Sequence, residues 1–204
     1  MCATFTIGIT GGIGSGKSII SRILRCNGFF VYDCDSEAKY LMTRDKELKQ
    51  SLQMRLGDGI YYSNGTLNKK ELAKIIFSNI EKREYVNSIV HAAVRKDIVE
   101  KRKKVRGLFF IESAILATGG ITEFCNSIWI VTASPQERIK RISKRDNLSL
   151  KEISQRIESQ EEELDKIKSE KIIILENDNQ YPILPVILTL VNRIKEKQIY
   201  KISC

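Results

Sequence analysis

The 204-residue chain has one histidine, His91, and that scarcity removes several kinds of chemistry at once. With a single imidazole, neither a histidine-based metal centre nor a Ser–His–Asp triad is expected. Five cysteines (Cys2, Cys26, Cys34, Cys125 and Cys204) are odd in number, widely spaced and free of any Cys-x-x-Cys pair. That pattern argues against a disulfide framework or a zinc site and favours a reducing, cytoplasmic setting. Cys34, flanked by two aspartates, reads as a space-filler, since neighbouring carboxylates disfavour its thiolate. Three prolines and 12 glycines leave no collagen-like or low-complexity stretch, and no internal repeat is present. The longest apolar run, Ile183–Val191, is too short to cross a bilayer and is interrupted by Pro185 and Thr189. It reads as the buried face of a helix. Met1–Thr10 lacks a basic leader and reads as a first strand rather than a targeting segment. No Asp-x-x-Gly occurs, and the one Asn-Lys pair, Asn68-Lys69, comes too early for guanine reading, so a GTP switch is disfavoured.

What is present in excess is positive charge. Thirty-four Lys and Arg against 25 Asp and Glu give a net charge of +9, which implies an anionic partner, either nucleic acid or a polyphosphate nucleotide. The densest basic run, Lys101–Arg106, reads as a helix end where cations complement the dipole. No aromatic platform or groove-reading motif accompanies it, which disfavours a nucleic-acid module. Apolar residues make up 42% and charged residues 29%, as in an ordered, soluble globular protein.

Short β-branched or aromatic runs alternate with helix-period stretches. Phe5–Thr10, Phe29–Tyr32, Gly107–Glu112, Ser127–Thr132 and Lys171–Leu175 read as strands. Lys17–Asn27, Val86–Lys104, Pro135–Lys144 and Tyr181–Lys195 read as amphipathic helices. Nearly continuous apolar strands alternating with helices predict an α/β fold, a five-stranded parallel sheet covered on both faces in three layers. Two regions break the rhythm. Residues 36–85 carry helical patterns with turns at Gly57–Gly59 and Asn64–Gly65 but no clear core strand, and residues 36–106 read as a substrate lobe. Residues 145–169 are charged and poor in large apolar side chains, and read as a polar helical pair forming a mobile lid. Residues 1–35, 107–144 and 170–204 are left as the nucleotide-binding core.

The strongest local signal is Gly11-Gly12-Ile13-Gly14-Ser15-Gly16-Lys17-Ser18, which satisfies G-x-x-x-x-G-K-[ST] between an apolar strand and an amphipathic helix. Such a loop turns successive N–H groups toward phosphate oxygens, and the following helix adds its positive end. Lys17 is expected to reach the β- and γ-phosphates, and the Ser18 hydroxyl to ligate Mg²⁺. Asp33-Cys34-Asp35 follows the second strand, at the end of a parallel strand where ligands bind. Asp33 is the candidate base for an attacking alcohol, and Asp35 orients substrate or a metal-bound water, or else caps a helix. Glu112 ends the third strand, where a Walker-B carboxylate or a simple cap would stand. Arg138, Arg141 and Arg145 recur at helical spacing, and Arg156 lies in the lid segment. Guanidinium groups there can stabilise a transferring phosphoryl, with Arg138 the best candidate for a mere surface ion pair with Glu137.

Taken in order, these motifs resemble the dephospho-CoA kinase family over nearly the whole chain. The resemblance rests on Ile9–Ser18, on Tyr32–Lys39 with its Asp-x-Asp, and on Gly65-Thr66-Leu67-Asn68-Lys69-Lys70-Glu71-Leu72 followed by Phe77. It continues through Ile89-Val90-His91, Ile111–Leu116, Ser134–Ser149, Arg156–Gln160 and Asn177. It implies ATP-dependent phosphorylation of the ribose 3′-hydroxyl of dephospho-CoA, with Mg²⁺, by a cytoplasmic monomer or weak homo-oligomer that needs neither membrane nor nucleic acid. Asp33 would be the base, with Lys17 and Arg141 as its catalytic partners on the phosphates. Gly12, Ile13, Gly14, Ser15, Gly16, Lys17, Ser18 and Ile19 would cradle ATP, with Asn177 near the adenine. Asp33, Asp35, Lys69 and His91 would meet the substrate, and Arg145 and Arg156 would reach phosphates from the lid. The chain departs from the family at Ile19, often Thr; Lys69, usually Arg; Ala92, usually Pro; Glu112, commonly Asp; and Arg138, frequently Gln. Another small-molecule P-loop kinase, acting on a nucleoside or metabolite, is the competing reading.

Overall fold

Each of the five apolar runs forms a strand. In a computed structural model describing residues 4–146, 149–168 and 171–200, these are β1 (Phe5–Thr10), β2 (Phe30–Asp33), β3 (Leu108–Glu112), β4 (Ser127–Thr132) and β5 (Ile172–Glu176). They make one parallel sheet in the order β2-β3-β1-β4-β5. In β1, Ile7 stands opposite Phe110 of β3 and Ser127 of β4, and Trp129 of β4 stands opposite Ile173 of β5. The chain leaves β1 toward one edge and later returns to fill the other side. β1 is therefore the switch point, and a crevice opens beyond its carboxyl end. The glycine-rich turn begins there.

Alternation puts side chains on both faces, and in the central strands both are buried. Ile7, Ile9, Phe110, Trp129, Val131 and Leu175 pack with Ile20 and Leu24 of α1 (Lys17–Cys26) and Ile187 and Val191 of α8 (Ile183–Tyr200). The Phe110 and Trp129 rings meet edge-on at 5.6 Å. Phe109, Ile111 and Ile128, of opposite parity, are also buried. That double burial is why β3 and β4 carry little polar alternation, whereas β1 alternates its isoleucines with Thr6, Gly8 and Thr10, and β5 leaves Ile172 and Ile174 exposed.

The chain divides into two compact units, Met1–Tyr32 with Arg102–Cys204, and Asp33–Lys101. The second unit is helical, with α2 (Cys34–Arg44), α3 (Lys46–Leu56), α4 (Lys69–Ser78) and most of α5 (Ile80–Lys104). Asp45 caps α3 by accepting from the Leu48 N–H at 2.9 Å, and Asn68 caps α4 by accepting from the Glu71 N–H at 3.2 Å. α5 buries Val86, Val90, Val94 and Ile98 at four-residue spacing. Near its end Lys101 bridges Glu37 at 2.8 Å and Asp97 at 3.2 Å, so this member of the basic run is paired rather than merely solvated. The first unit also carries α6 (Pro135–Arg145) and α7 (Leu150–Asp165). Where a polar helical pair was expected over residues 145–169, the described residues hold the end of α6 and the single helix α7. Among the described residues no helix is long and apolar enough to cross a membrane. Cys2 and Cys204 lie outside the described residues.

Candidate active site

α1 starts without a side-chain cap. Its N-cap is Gly16, in a left-handed conformation at φ 100°, and no acidic residue stands in its first turn. By contrast α2, α3, α4 and α7 are capped by Asp33, Asp45, Asn68 and Ser149. The positive end of α1 is thus not neutralised by its own chain, the condition for an anion site. Gly16 is required for a second reason: a Cβ there would lie 2.2 Å from Asn177 Nδ2.

The outer side of the turn is braced carbonyl by carbonyl. Arg138 Nε donates to the Ile13 carbonyl at 3.0 Å. Arg141 Nη1 donates to the Gly14 carbonyl at 3.2 Å and to that of Ser15 at 3.3 Å, and Asn177 Nδ2 donates to the Ser15 carbonyl at 2.9 Å. Three consecutive carbonyls are held from α6 and the end of β5, which fixes the path of the turn up to the start of α1; within it the Ser15 N–H donates to the Gly12 carbonyl at 3.2 Å. Lys17 lies back over the turn, with Nζ donating to the carbonyls of Gly11 and, at 3.3 Å, Gly12. Ser18, second in α1, is exposed.

Asn177 owes its position to the sheet. Its N–H donates to the Thr132 carbonyl at 2.9 Å, extending the β4–β5 ladder by one rung. Asp178 accepts from the Ser134 N–H, and Asn179, at φ 61°, donates through Nδ2 to Glu137 at 2.8 Å. The turn is thereby tied to the start of α6. Arg141 Nη2 donates to the Asn177 carbonyl at 2.5 Å. Beside this knot opens a cleft of about 660 Å³ lined by Gly16, Ile19, Arg141, Asn177, Tyr181 and Pro182 among others. Tyr181 is 81% exposed and offers an aromatic face there.

Arg138 departs from the surface ion pair expected of it. It is only 9% exposed, and it is spent on Ile13 rather than on Glu137. Nothing in its helical spacing distinguishes it from Arg145, which is exposed and makes a two-pronged pair with Asp146 at 3.0 and 2.8 Å. The hydrogen bonds from Arg145 hold the Asp146 carboxyl below its ordinary range. Arg156 lies on the exposed side of α7.

Helix α7 is docked by polar contacts that its sequence did not announce. Glu163, 5% exposed, accepts from the Ala117 N–H at 2.7 Å, the Thr118 N–H at 3.0 Å and the Thr118 hydroxyl. Gln160, one turn earlier, accepts through Oε1 from the Ile13 N–H. Ile153, in its first turn, is buried, as is Ile167 two residues past its end. At its start Ser149 and Glu152 form a capping box, and the Ser149 hydrogen bonds depress the Glu152 carboxyl.

In the helical unit, Asp33 closes β2 and caps α2. Its Oδ1 accepts from the Ser36 N–H at 3.1 Å and its Oδ2 from the Ser36 hydroxyl at 3.0 Å. The cap weighed for Asp35 belongs to Asp33; Asp35 is exposed in the first turn. Lys69 is exposed at the first position of α4, and His91 is half-buried on α5. Among the described residues no three His, Cys, Asp or Glu side chains gather as a metal site.

The dephospho-CoA kinase family model matches residues 5–182. A dephospho-CoA kinase of Porphyromonas gingivalis is 38% identical over 194 residues, covering 95% of this chain and 96% of that one. One of Bacteroides fragilis is 35% identical over 199 residues, covering 97% and 96%. Among solved structures, a Thermus thermophilus protein superposes with a TM-score of 0.76 at 30% identity, over 94% of this chain and 97% of that one. Dephospho-CoA kinase from Campylobacter jejuni shares the fold at a TM-score of 0.68 and 23% identity, over 95% and 98%. A braced phosphate loop on a doubly covered parallel sheet therefore coincides with full-length similarity, and the chain belongs to the dephospho-CoA kinase family.

Proposed function

We propose that the protein transfers the γ-phosphoryl group of ATP to the ribose 3′-hydroxyl of dephospho-CoA, giving coenzyme A and ADP. The observation that carries this reading is the loop Gly11–Ser18, whose Ile13, Gly14 and Ser15 carbonyls are tied down beside the uncapped start of α1, an arrangement suited to an anion. Phosphoryl transfer asks little covalent chemistry of a protein beyond such positioning and charge stabilisation.

In this reading the amides of Gly14–Ser18 hold the β-phosphate, and Lys17 moves from the Gly11 and Gly12 carbonyls to the β,γ-bridge. The base of the nucleotide occupies the cleft beside Asn177, against Ile19 and Tyr181, where an apolar wall and an aromatic face suit a planar ring. Arg141 stabilises charge on the phosphates from the loop's edge, and Arg145 and Arg156 add charge from the lid as it closes. Asp33 aligns the 3′-hydroxyl and accepts its proton. Its place at the end of β2 supports this role, since ligands gather at the carboxyl ends of parallel strands. Residues 36–106 act as the substrate lobe, where Asp35, Lys69 and His91 meet the acceptor, and residues 145–169 act as the lid.

The residues fit Mg²⁺ in one respect: the Ser18 hydroxyl is exposed at the head of α1, beside the turn that faces the phosphates. Ser18 and the nucleotide's own oxygens would hold the ion, a donor set of hard oxygens. Bound there, Mg²⁺ neutralises charge developing on the β- and γ-oxygens. The reading includes a cytoplasmic enzyme, monomeric or weakly self-associating, with no nucleic-acid or membrane partner.

A panel of acceptors tests the proposal. ADP release with dephospho-CoA, and none with nucleosides, is expected; turnover of a nucleoside without turnover of dephospho-CoA would replace it with the competing kinase reading.

A further inference from the structure

Ile13 is held from both sides of its own backbone. Its carbonyl accepts from Arg138 Nε at 3.0 Å, and its N–H donates to Gln160 Oε1. Arg138 belongs to α6, under the loop, whereas Gln160 belongs to α7, the helix read as a lid. Ile13 precedes Gly14, which turns at φ 78°, so fixing both peptide groups of Ile13 fixes where the inward-facing amides begin. Gln160 is not a chance surface contact. Glu163, one turn along the same helix, is buried on the Ala117 and Thr118 amides, and Ile153, two turns before Gln160, is fully buried. The face of α7 that carries Gln160 is therefore a docked face.

We propose that Gln160 is a positioning residue for phosphoryl transfer: it couples docking of α7 to the set of the phosphate loop by gripping the Ile13 N–H while Arg138 grips the Ile13 carbonyl. Gln160 touches neither phosphate nor acceptor in this scheme and acts only through Ile13. A neutral amide suits the place. It supplies an acceptor for one N–H without setting a negative charge beside a polyphosphate, which a carboxylate at the same position would do. The inference rests on the kinase reading above and adds to it the residue by which the lid reports its closure to the loop.

Gln160→Ala removes the acceptor on a helix that alanine favours, so the fold is preserved. Losing one hydrogen bond from a loop that acts in the transition state lowers kcat about tenfold, with KM for ATP within about twofold. Gln160→Glu keeps an acceptor and adds a charge, so KM for ATP rises about tenfold or more while the melting temperature stays put. Hydrogen–deuterium exchange over residues 9–16 is faster in Gln160→Ala than in the wild type. Arg138→Ala combined with Gln160→Ala costs less than the product of the single effects, because both act on one residue. Unchanged kcat and KM in both Gln160 variants, with unchanged exchange of the loop, overturns the proposal. If the wild type itself fails to turn over dephospho-CoA, the functional reading falls, and the exchange comparison still decides whether Gln160 holds the loop.

Discussion

Arg138 stands where a side chain at position 12 would have to be. A Cβ on Gly12 would lie 2.2 Å from Arg138 Nη2, while Nε of the same guanidinium holds the Ile13 carbonyl at 3.0 Å. The glycine and the arginine are one structural decision: the loop runs close because residue 12 has no side chain, and the arginine fills the space so gained. Gly12→Ala must displace the brace and with it the loop crest, and misplacement of about 1 Å costs around 100-fold in kcat/KM. Shortening residue 138 opens room for the methyl group. Adding Gly12→Ala to Arg138→Gln is expected to cost less than about tenfold further, which steady-state kinetics on the four variants measures. Equal penalties in both backgrounds would break the link between the two residues.

Lys17 tests the loop as a phosphate site. Lys17→Ala removes the one ammonium in the turn, and loss of one such donor is worth roughly 100- to 1,000-fold in kcat. The Nζ contacts to the Gly11 and Gly12 carbonyls stay within the turn and hold no other element, so circular dichroism and melting are expected to match the wild type. Near-normal turnover would discredit the assignment.

Asp33 carries two duties that one substitution separates. Asn caps a helix about as well as Asp, so Asp33→Asn keeps the Ser36 N–H satisfied and leaves the melting temperature close to wild type. It removes the proton acceptor, and kcat is expected to fall about 100- to 10,000-fold with ATP affinity little changed. A kcat equal to the wild type rules Asp33 out as the base.

Much of this was legible in the sequence, for physical reasons. Gly-x-x-x-x-Gly-Lys-Ser is a local backbone requirement, and the five strands are short β-branched or aromatic apolar runs, so both can be read one segment at a time. The boundaries moved by a residue or two: β2 begins at Phe30 rather than Phe29, and α1 ends at Cys26 rather than Asn27. The roles of Arg138, Gln160 and Glu163 could not be read that way. Their partners are Ile13, Ala117 and Thr118, distant in sequence, and all but the Thr118 hydroxyl bond end on a backbone group that leaves no trace in residue identity. The charged face of residues 145–169 was read as one that nothing buries. A buried carboxylate on two amides is invisible to an argument from hydrophobicity.

Glu163 should therefore govern the docking of α7. Glu163→Ala leaves the Ala117 and Thr118 N–H groups without their acceptor, at a cost of about 1–3 kcal/mol in urea unfolding, together with faster amide exchange along α7. A variant as stable and as protected as the wild type would show that the helix is held elsewhere.

Acid should loosen the start of the same helix. The Glu152 carboxyl is held below its ordinary 4.5 by hydrogen bonds from the Ser149 hydroxyl and N–H. A depressed native value means the contribution is complete above the unfolded value and is lost as pH falls through the native one. The gap in melting temperature between wild type and Glu152→Ala is expected at pH 7 and should close below about pH 4.5. A gap that widens in acid would carry the wrong sign.

The central claim is most directly tested by following the phosphorus itself. With γ-labelled ATP, Mg²⁺ and dephospho-CoA, the label is expected on the ribose 3′-oxygen of the product, one coenzyme A for each ADP. Label appearing only in inorganic phosphate, or on an unrelated alcohol while dephospho-CoA is untouched, would contradict it.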